Sequence, residues 1–427
     1  MSYLDSLAEQ AVWRALEGIT RGTLIVNAPS GERVFGHDGD EPALLQIHAP
    51  RFFRRVVSGG EIGLGEAYMD GDWTTPDLVG LVRLMLANRE VLGRTPGIGT
   101  WLSRLRDSIT HRLRGNTPAG SRRNIRAHYD LGNAFFRLFL DQRLMYSSAI
   151  YARAGDSLEA AQTHKLRTIC DKLDLSPRDH VLEIGSGWGG FALFAATHYG
   201  CRVTTTTISR EQHVHASRLA AEARPSGAQV TVLFEDYRNL RGTYDKIVSI
   251  EMFEAVGLDY YDEFFGACDR LLGRDGVMLL QTITVDDWRF REYRGAPNWI
   301  SKYIFPGAEL ASAGEVLASL ARATRMSLYH AEQIGTHYAR TLHDWRARFH
   351  RQLDEVRAQG FDDRFIHMWD LYLGYCEAAF ADRHIGDMQL ILTKDPNRRV
   401  LYKEPWAAQG STGEPSEGAD RVFVVHH

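Results

Sequence analysis

The sequence predicts an α/β protein, an open parallel sheet with helices alternating around it, preceded by a small α+β segment. Three observations predict it. From about residue 160 onward, short apolar and β-branched runs alternate with amphipathic helical patterns. One run, Val181 to Ile184, passes straight into the glycine-rich turn Gly185-Ser186-Gly187-Trp188-Gly189-Gly190, as the first strand of a Rossmann-like unit does. Up to roughly residue 95, shorter strand-like runs are separated by polar turns.

The first segment, residues 1–95, opens its strands with Thr23 to Asn27, followed by the turn signal Pro29-Ser30-Gly31-Glu32 and then Arg33-Val34-Phe35. Leu44 to His48 is a further strand. Pro50 to Val57 is a short helix, and Leu78 to Leu86 continues helical spacing. Residues 96–123 are a basic linker with Arg104, Arg106, His111, Arg112, Arg114, Arg122 and Arg123. Trp101 to Leu113 within it is a basic amphipathic helix, readable either as a packed linker or as a surface attracted to anionic headgroups.

The remaining strands are His180 to Ile184, Arg202 to Thr207, Gln229 to Phe234, Lys246 to Ile250 and Gly276 to Ile283. Helices fall between them, for example Phe191 to His198 and Gln212 to Ala223. Met388 to Lys394 and Val400 to Lys403 are expected to close as a hairpin around Asp395-Pro396-Asn397. The segment 124–405 is thus the main domain, and the Gly-, Ser- and Glu-rich stretch 406–427 is expected to be a disordered tail.

Composition bounds the function. The 427 residues leave room for two or three domains, and 44% hydrophobic with 24% charged residues is ordinary for a globular chain. A net charge of −4, from 50 basic and 54 acidic residues, gives no support to nucleic acid as the main partner. Four cysteines, Cys170, Cys201, Cys268 and Cys376, form no CxxC pair, which suits a reducing cytoplasm. No signal-like run opens the sequence, and no uncharged apolar stretch approaches the ~18 residues of a membrane span. A lipid substrate would be reached from the surface, by a cytoplasmic protein peripherally associated with the inner face of the membrane. No metal-ligating cluster stands out, and a homodimer is compatible with a sequence that leaves oligomeric state open.

The glycine turn is the most specific local signal. Its spacing satisfies GxGxxG and would admit a dinucleotide. Three features favour S-adenosylmethionine instead. Glu183 stands two residues before the first glycine, inside the strand end. The next strand ends in Thr204 to Thr207 rather than in the acid expected for an NAD ribose. Glu235-Asp236-Tyr237 follows the third strand, where an adenine edge would lie.

Further stretches extend the pattern. They are Arg126-Ala127-His128-Tyr129-Asp130-Leu131-Gly132-Asn133, Met145-Tyr146-Ser147-Ser148-Ala149, Met252-Phe253-Glu254-Ala255-Val256-Gly257 and Trp299 to Gly307. In this order around the glycine turn, the chain resembles the cyclopropane-fatty-acyl-phospholipid synthase family over about residues 10 to 405. The resemblance implies a class I S-adenosylmethionine-dependent methyltransferase (Rossmann-like) domain behind an N-terminal lipid-binding module. It implies one-carbon transfer to the double bond of unsaturated acyl chains in membrane phospholipid. Tyr129, Ser147, Gly185, Gly187, Thr207, Gln212 and Asp236 fall where the family contacts its methyl donor. Glu254, Tyr338 and Cys376 fall at active-site positions, with Glu254 and Tyr338 matching groups that hold a bicarbonate ion, the proposed base. Plainer readings stand beside these: Glu254 as a helix cap, Cys376 as packing, and the Trp299 to Phe305 aromatics as core.

Two positions depart from the ring-forming pattern. Ser148 stands where those enzymes usually have Cys, and Gln281 where they usually have His. Glutamine hydrogen-bonds an anion but is no acid or base near neutral pH. The expectation is an altered or weakened ion site, with the product open between a cyclopropane and a methyl- or methylene-branched chain, and Gln281 is read as a mark of the branching type. The competing readings are a methyltransferase for a small amine, which would make the N-terminal segment superfluous, and a non-catalytic lipid-binding protein, which would not bind S-adenosylmethionine.

Overall fold

The computed structural model describes residues 3–38, 41–92, 131–293, 298–398 and 401. Residues Met1–Asn397 group as one compact unit and Arg398–His427 as a second. The basic linker, 96–123, and the tail, 406–427, fall outside the described residues.

The chain begins with a helix, Tyr3–Leu16, that sequence reading did not anticipate. It buries Ala8, Val12, Trp13 and Leu16, an i, i+4 stripe too short to stand out among its charged neighbours. Strands β1 (Gly22–Ala28), β2 (Gly31–Asp38), β3 (Ala43–Ile47) and β4 (Trp73–Thr74) follow, in the order β2-β1-β3-β4. β1 and β2 are the expected hairpin, turning at Gly31 with φ 122°. The expected short helix at residues 50–57 is the first part of Arg51–Met69, where two helical stretches meet at a kink on Gly60, whose φ of 54° and ψ of −131° are not helical. Helix Leu78–Ala87 starts where the Asp77 side chain accepts the Gly80 N–H at 2.9 Å.

The larger sheet holds β5 (His180–Ile184), β6 (Arg202–Thr207), β7 (Gln229–Phe234), β8 (Tyr244–Ile250), β9 (Leu272–Thr284), β10 (Met326–Gln333) and β11 (Gly386–Lys394). Their order is β10-β11-β9-β8-β5-β6-β7. β5 to β9 pair in parallel, and β11 runs antiparallel to both neighbours. The five strands expected between 180 and 283 are all present. β11, the first arm of the expected closing hairpin, is bonded along one edge to β9 and along the other to β10. Of the second arm, Val400 and residues 402–403 lie outside the described residues. The turn itself is real, with Asn397 N–H donating to the Lys394 carbonyl at 2.9 Å. β10 escaped sequence reading because it is largely exposed, with only Met326 buried in Met-Ser-Leu-Tyr-His-Ala-Glu-Gln.

The order of the parallel strands reverses between β5 and β8. Ligands of such sheets bind outside the carboxyl ends at that reversal. Here those ends deliver Gly185 and Glu251 side by side. One apolar core joins Trp13, Phe53 and Trp73 of the N-terminal segment to Phe135, Trp345 and Trp369. Helix Asp363–Ala381 is the common element. Tyr68 Oη donates to Asp370 at 2.7 Å, Arg364 pairs with Asp70 at 2.8 Å, and Arg83 pairs with Asp382 at 2.8 Å. A Cβ on Gly374 of this helix would meet Leu78 at 2.9 Å, so glycine allows the two helices their close approach.

Candidate active site

A cavity of about 370 Å³ opens at the strand reversal. Its walls include Ser147, Glu183, Gly185, Gly187, Thr207, Gln212 and Asp236, seven of the eight positions expected to hold the methyl donor. Tyr129, the eighth, lies outside the described residues.

On the donor side, the turn is set by glycine chemistry. Gly185 has φ 95° and Gly187 φ 48°, values that disfavour residues with a Cβ. Gly185 N–H and Ser186 N–H both donate to the Thr206 carbonyl, at 3.1 and 2.9 Å, which ties the turn to β6. A Cβ on Gly187 would have nothing within 4 Å, so this backbone faces open space. Thr207 Oγ1 donates to Gln212 Oε1 at 2.9 Å, and Asp236 accepts from Arg238 Nε at 2.9 Å. Glu183 is buried, with Oε2 lacking any hydrogen-bond partner. Burial pushes its carboxyl up to about 8, with Thr205 and Lys165 pulling it back. An orphaned buried oxygen beside an open glycine turn fits a ligand that brings hydroxyls and positive charge, as S-adenosylmethionine does.

Lys165 was not anticipated. It is fully buried on helix Leu158–Lys172 and donates to Ser147 Oγ at 2.7 Å. Burial lowers its ammonium to about 8, while Glu251, Asp141, Asp387 and Glu183 hold it up. A single lysine thus underlies both halves of the site.

On the acidic side, the residues expected to be catalytic gather around Glu251, which was not among them. Glu251 Oε1 accepts from Ser148 N–H at 2.8 Å and Gln281 Nε2 at 2.7 Å; Oε2 accepts from Tyr338 Oη at 2.8 Å. Gln281 Nε2 also donates to Asp387 Oδ2 at 3.0 Å, and its Oε1 accepts from Gln389 at 2.9 Å. Ser148 and Gln281 are fully buried and do not line the cavity, so they act through Glu251. Ser148 directs its hydroxyl to the Ala149 carbonyl at 3.0 Å. The donors on which an ion at this place would draw are engaged with a side chain.

Glu254 sits in the short turn Phe253–Ala255 and accepts from Ile283 N–H at 2.5 Å and Thr282 Oγ1 at 2.9 Å. It ties β9 to this turn and does not cap a helix. Burial and the neighbouring Glu251 push its carboxyl up to about 7. Cys376 lines the cavity from helix Asp363–Ala381, and burial pushes its thiol up to about 12, so it remains a neutral wall. Among the described residues, no cluster of His, Cys, Asp and Glu has metal-binding geometry.

The family described as mycolic acid cyclopropane synthetase matches residues 117–390 of the chain. The chain belongs to that family. It is 37% identical to cyclopropane-fatty-acyl-phospholipid synthase of Escherichia coli strain K12 over 364 residues, 84% of this chain and 89% of that one. It is 34% identical to the tuberculostearic acid methyltransferase of Mycobacterium tuberculosis over 366 residues, 84% of each chain. Among solved structures, a mycolic acid cyclopropane synthase complexed with SAH and CTAB superposes with a TM-score of 0.59 at 33% identity. That match covers 64% of this chain and 98% of the other. The family places the protein among S-adenosylmethionine-dependent methyltransferases of Rossmann-like fold, as the glycine turn and the seven-stranded sheet had indicated. One relative is named for methyl transfer and the other for ring formation, so the names do not choose the product.

Proposed function

We propose that this member of the cyclopropane synthetase family transfers one carbon from S-adenosylmethionine to the double bond of an unsaturated acyl chain in membrane phospholipid. The observation that carries the reading is the composition of the cavity. One end is the glycine turn with Glu183. The other is walled by Ile283, Ile300, Phe305, Tyr372 and Phe380, with two carboxyl groups, Glu251 and Glu254, between them. An apolar chamber suits an acyl chain better than a small soluble amine.

Bound S-adenosylmethionine supplies an electrophilic methyl group. Glu183, Thr207, Gln212, Asp236 and the backbone at Gly185 and Gly187 are the groups to hold it, with Ser147 fixed by Lys165. An alkene gives the methyl acceptor no heteroatom on which to place positive charge, so the protein must supply anions and aromatic faces nearby. Glu251, Glu254, Phe305 and Tyr338 stand at that end. Apolar walls keep water from trapping the cation. For the product, Gln281 favours branching over ring closure: a buried amide bridging two carboxyl groups stands where the family resemblance usually puts a histidine in ring-forming enzymes.

Contact with a bilayer is assigned to the helix Asp287–Tyr293. Trp288 on it is 64% exposed, whereas Phe290 is buried and lines the cavity. Among the described residues no helix is long and apolar enough to cross a membrane. The N-terminal segment contributes Glu61 to the cavity wall and, through Glu66, holds Lys302 at 2.7 Å and Tyr303 at 2.6 Å. We read residues 1–95 as the lipid-facing module of the enzyme.

The test is incubation of purified protein with methyl-labelled S-adenosylmethionine and vesicles of unsaturated phospholipid. Mass spectrometry of the released fatty acids is expected to find one added labelled carbon, and fragmentation to place it as a branch. A cyclopropane would refute the branching reading. No label in lipid despite donor binding would refute the acyl-chain reading in favour of a small acceptor.

A further inference from the structure

We propose that the Glu251 carboxylate is the base of this enzyme and takes the place that the family resemblance gives to a bicarbonate ion. The proposal rests on the acyl-chain reading above and names the group that removes the proton.

Geometry carries it. Bicarbonate is a planar anion that two or three hydrogen-bond donors can hold. Ser148 N–H, Gln281 Nε2 and Tyr338 Oη, at 2.7 to 2.8 Å, hold a planar anion here, and it is the side chain of Glu251. A second anion on the same donors would displace them from Glu251 and lie against its charge. The side chain belongs to the cavity wall, beside Glu254 and at the strand end adjoining the glycine turn.

Two further observations show what fixes it there. Glu251 has φ 47°, in the left-handed region that favours glycine, and its N–H donates to the Gln281 carbonyl at 2.8 Å. Strain of this kind persists where surrounding structure imposes it, commonly at functional sites. Behind it lies Asp387, fully buried and bridged to it by Gln281. Burial and the facing Glu251 hold the Asp387 carboxyl well above the usual range, so it keeps its proton. Burial raises the Glu251 carboxyl too, while the Ser148 N–H, the Lys165 ammonium and the Tyr338 hydroxyl pull it back toward the anion. Gln281, which cannot transfer protons itself, becomes the bridge that positions the two carboxyl groups.

The alkene π pair forms the new carbon–carbon bond to the methyl group, and the sulfur–carbon pair stays on sulfur. The second alkene carbon is left positive. Glu251 takes a proton either from the new methyl group, whose carbon then bonds to the cationic carbon, or from the chain carbon beside that centre. The freed C–H pair becomes either the last bond of a ring or a new double bond in a branched chain. Glu251 ends neutral and the lipid ends uncharged; the proton returns to water once the cavity empties. No oxidant or reductant is needed.

The experiment compares wild type, Glu251→Gln and Glu251→Ala for label transfer to vesicles, in buffer stripped of carbon dioxide and in millimolar bicarbonate or formate. Donor binding is followed by calorimetry. Wild type is expected to ignore bicarbonate. Glu251→Gln is expected to keep donor affinity and to lose at least ~100-fold in rate, the scale of general-base loss. Glu251→Ala is expected to regain activity with formate or bicarbonate. A wild-type rate that falls without carbon dioxide and saturates with added bicarbonate overturns the proposal, as does full activity of Glu251→Gln. Should Glu251→Gln lose donor binding, the wild-type response to bicarbonate decides alone. If wild type labels no lipid, the acyl-chain reading falls and this proposal with it. If wild type and Glu251→Gln label lipid alike, only the assignment of the base falls.

Discussion

Glu183 makes donor binding depend on pH in a way that can be worked out in advance. In the free protein burial pushes its carboxyl up to about 8. At pH 7 about nine-tenths of the molecules therefore carry a proton there. A cationic donor with hydroxyls near the partnerless Oε2 favours the anion, and such neighbours lower a carboxyl pKa by about 1–3 units. A fall of ~2 units, to ~6, leaves about one-tenth protonated, so binding at pH 7 releases about 0.8 proton. Summed over the window, the dissociation constant should be about 25-fold tighter at pH 8 than at pH 6. The sign follows from the raised pKa: the free protein binds the proton better than the complex does, so affinity increases as pH rises toward the free-protein value. Calorimetry in phosphate and in Tris, whose ionisation heats differ, counts the protons released. Glu183→Gln cannot ionise, and its binding heat should be the same in both buffers apart from what Lys165 contributes. Equal heats for wild type in the two buffers, or a dissociation constant flat from pH 6 to 8, would refute the reasoning.

Three other perturbations follow from the same geometry. Lys165→Met removes the buried ammonium that faces Glu251, Asp141, Asp387 and Glu183, and leaves buried carboxylates without their cation. A loss of about 3–5 kcal/mol is expected in urea unfolding, and a loss under about 1 would show that the lysine is dispensable. Gly187→Ala adds a Cβ at φ 48° in the open side of the cavity. It should cost about 1 kcal/mol of stability but weaken donor binding by tenfold or more (about 1.4 kcal/mol), and calorimetry that finds binding intact would move the donor elsewhere. Trp288→Ala should leave the melting temperature unchanged, because the ring is exposed. It should reduce partition onto anionic vesicles by about tenfold in sedimentation, since an interfacial Trp contributes about 1.5 kcal/mol of apolar burial; unchanged sedimentation would remove this helix from the contact.

Much of the frame was legible because it depends on local rules. The strands His180–Ile184, Arg202–Thr207 and Gln229–Phe234 matched their expected limits, since each is a β-branched or apolar run bounded by turn residues. The glycine turn was legible because close approach and positive φ require glycine itself. Glu251 was not, although it follows β8 as Gly185 follows β5. Whether Glu251 or Glu254 meets Tyr338 depends on the φ of 47° at Glu251, which no residue pattern announces. Asp387 and Gln389 arrive through the register of β11 on β9, where Gln389 lies opposite Gln281 and Asp387 opposite Ile283. Pairings so distant along the chain are invisible to periodicity. Lys165 is hidden for a different reason: on a helix a lysine is ordinarily solvated, and only the surrounding acids make its burial tolerable.

Helix Asp363–Ala381 is clamped to the N-terminal segment through Asp370, Arg364 and Gly374, and it carries Tyr372, Cys376 and Phe380 on the cavity wall. The attachment and the lining share one rigid rod, so neither can shift alone. A displacement of helices Arg51–Met69 and Leu78–Ala87 would reach that wall through these contacts. A load on those two helices would therefore be felt at Tyr372, Cys376 and Phe380. Exchanging the N-terminal segment between relatives would, by the same lever, change which chain lengths the chamber admits.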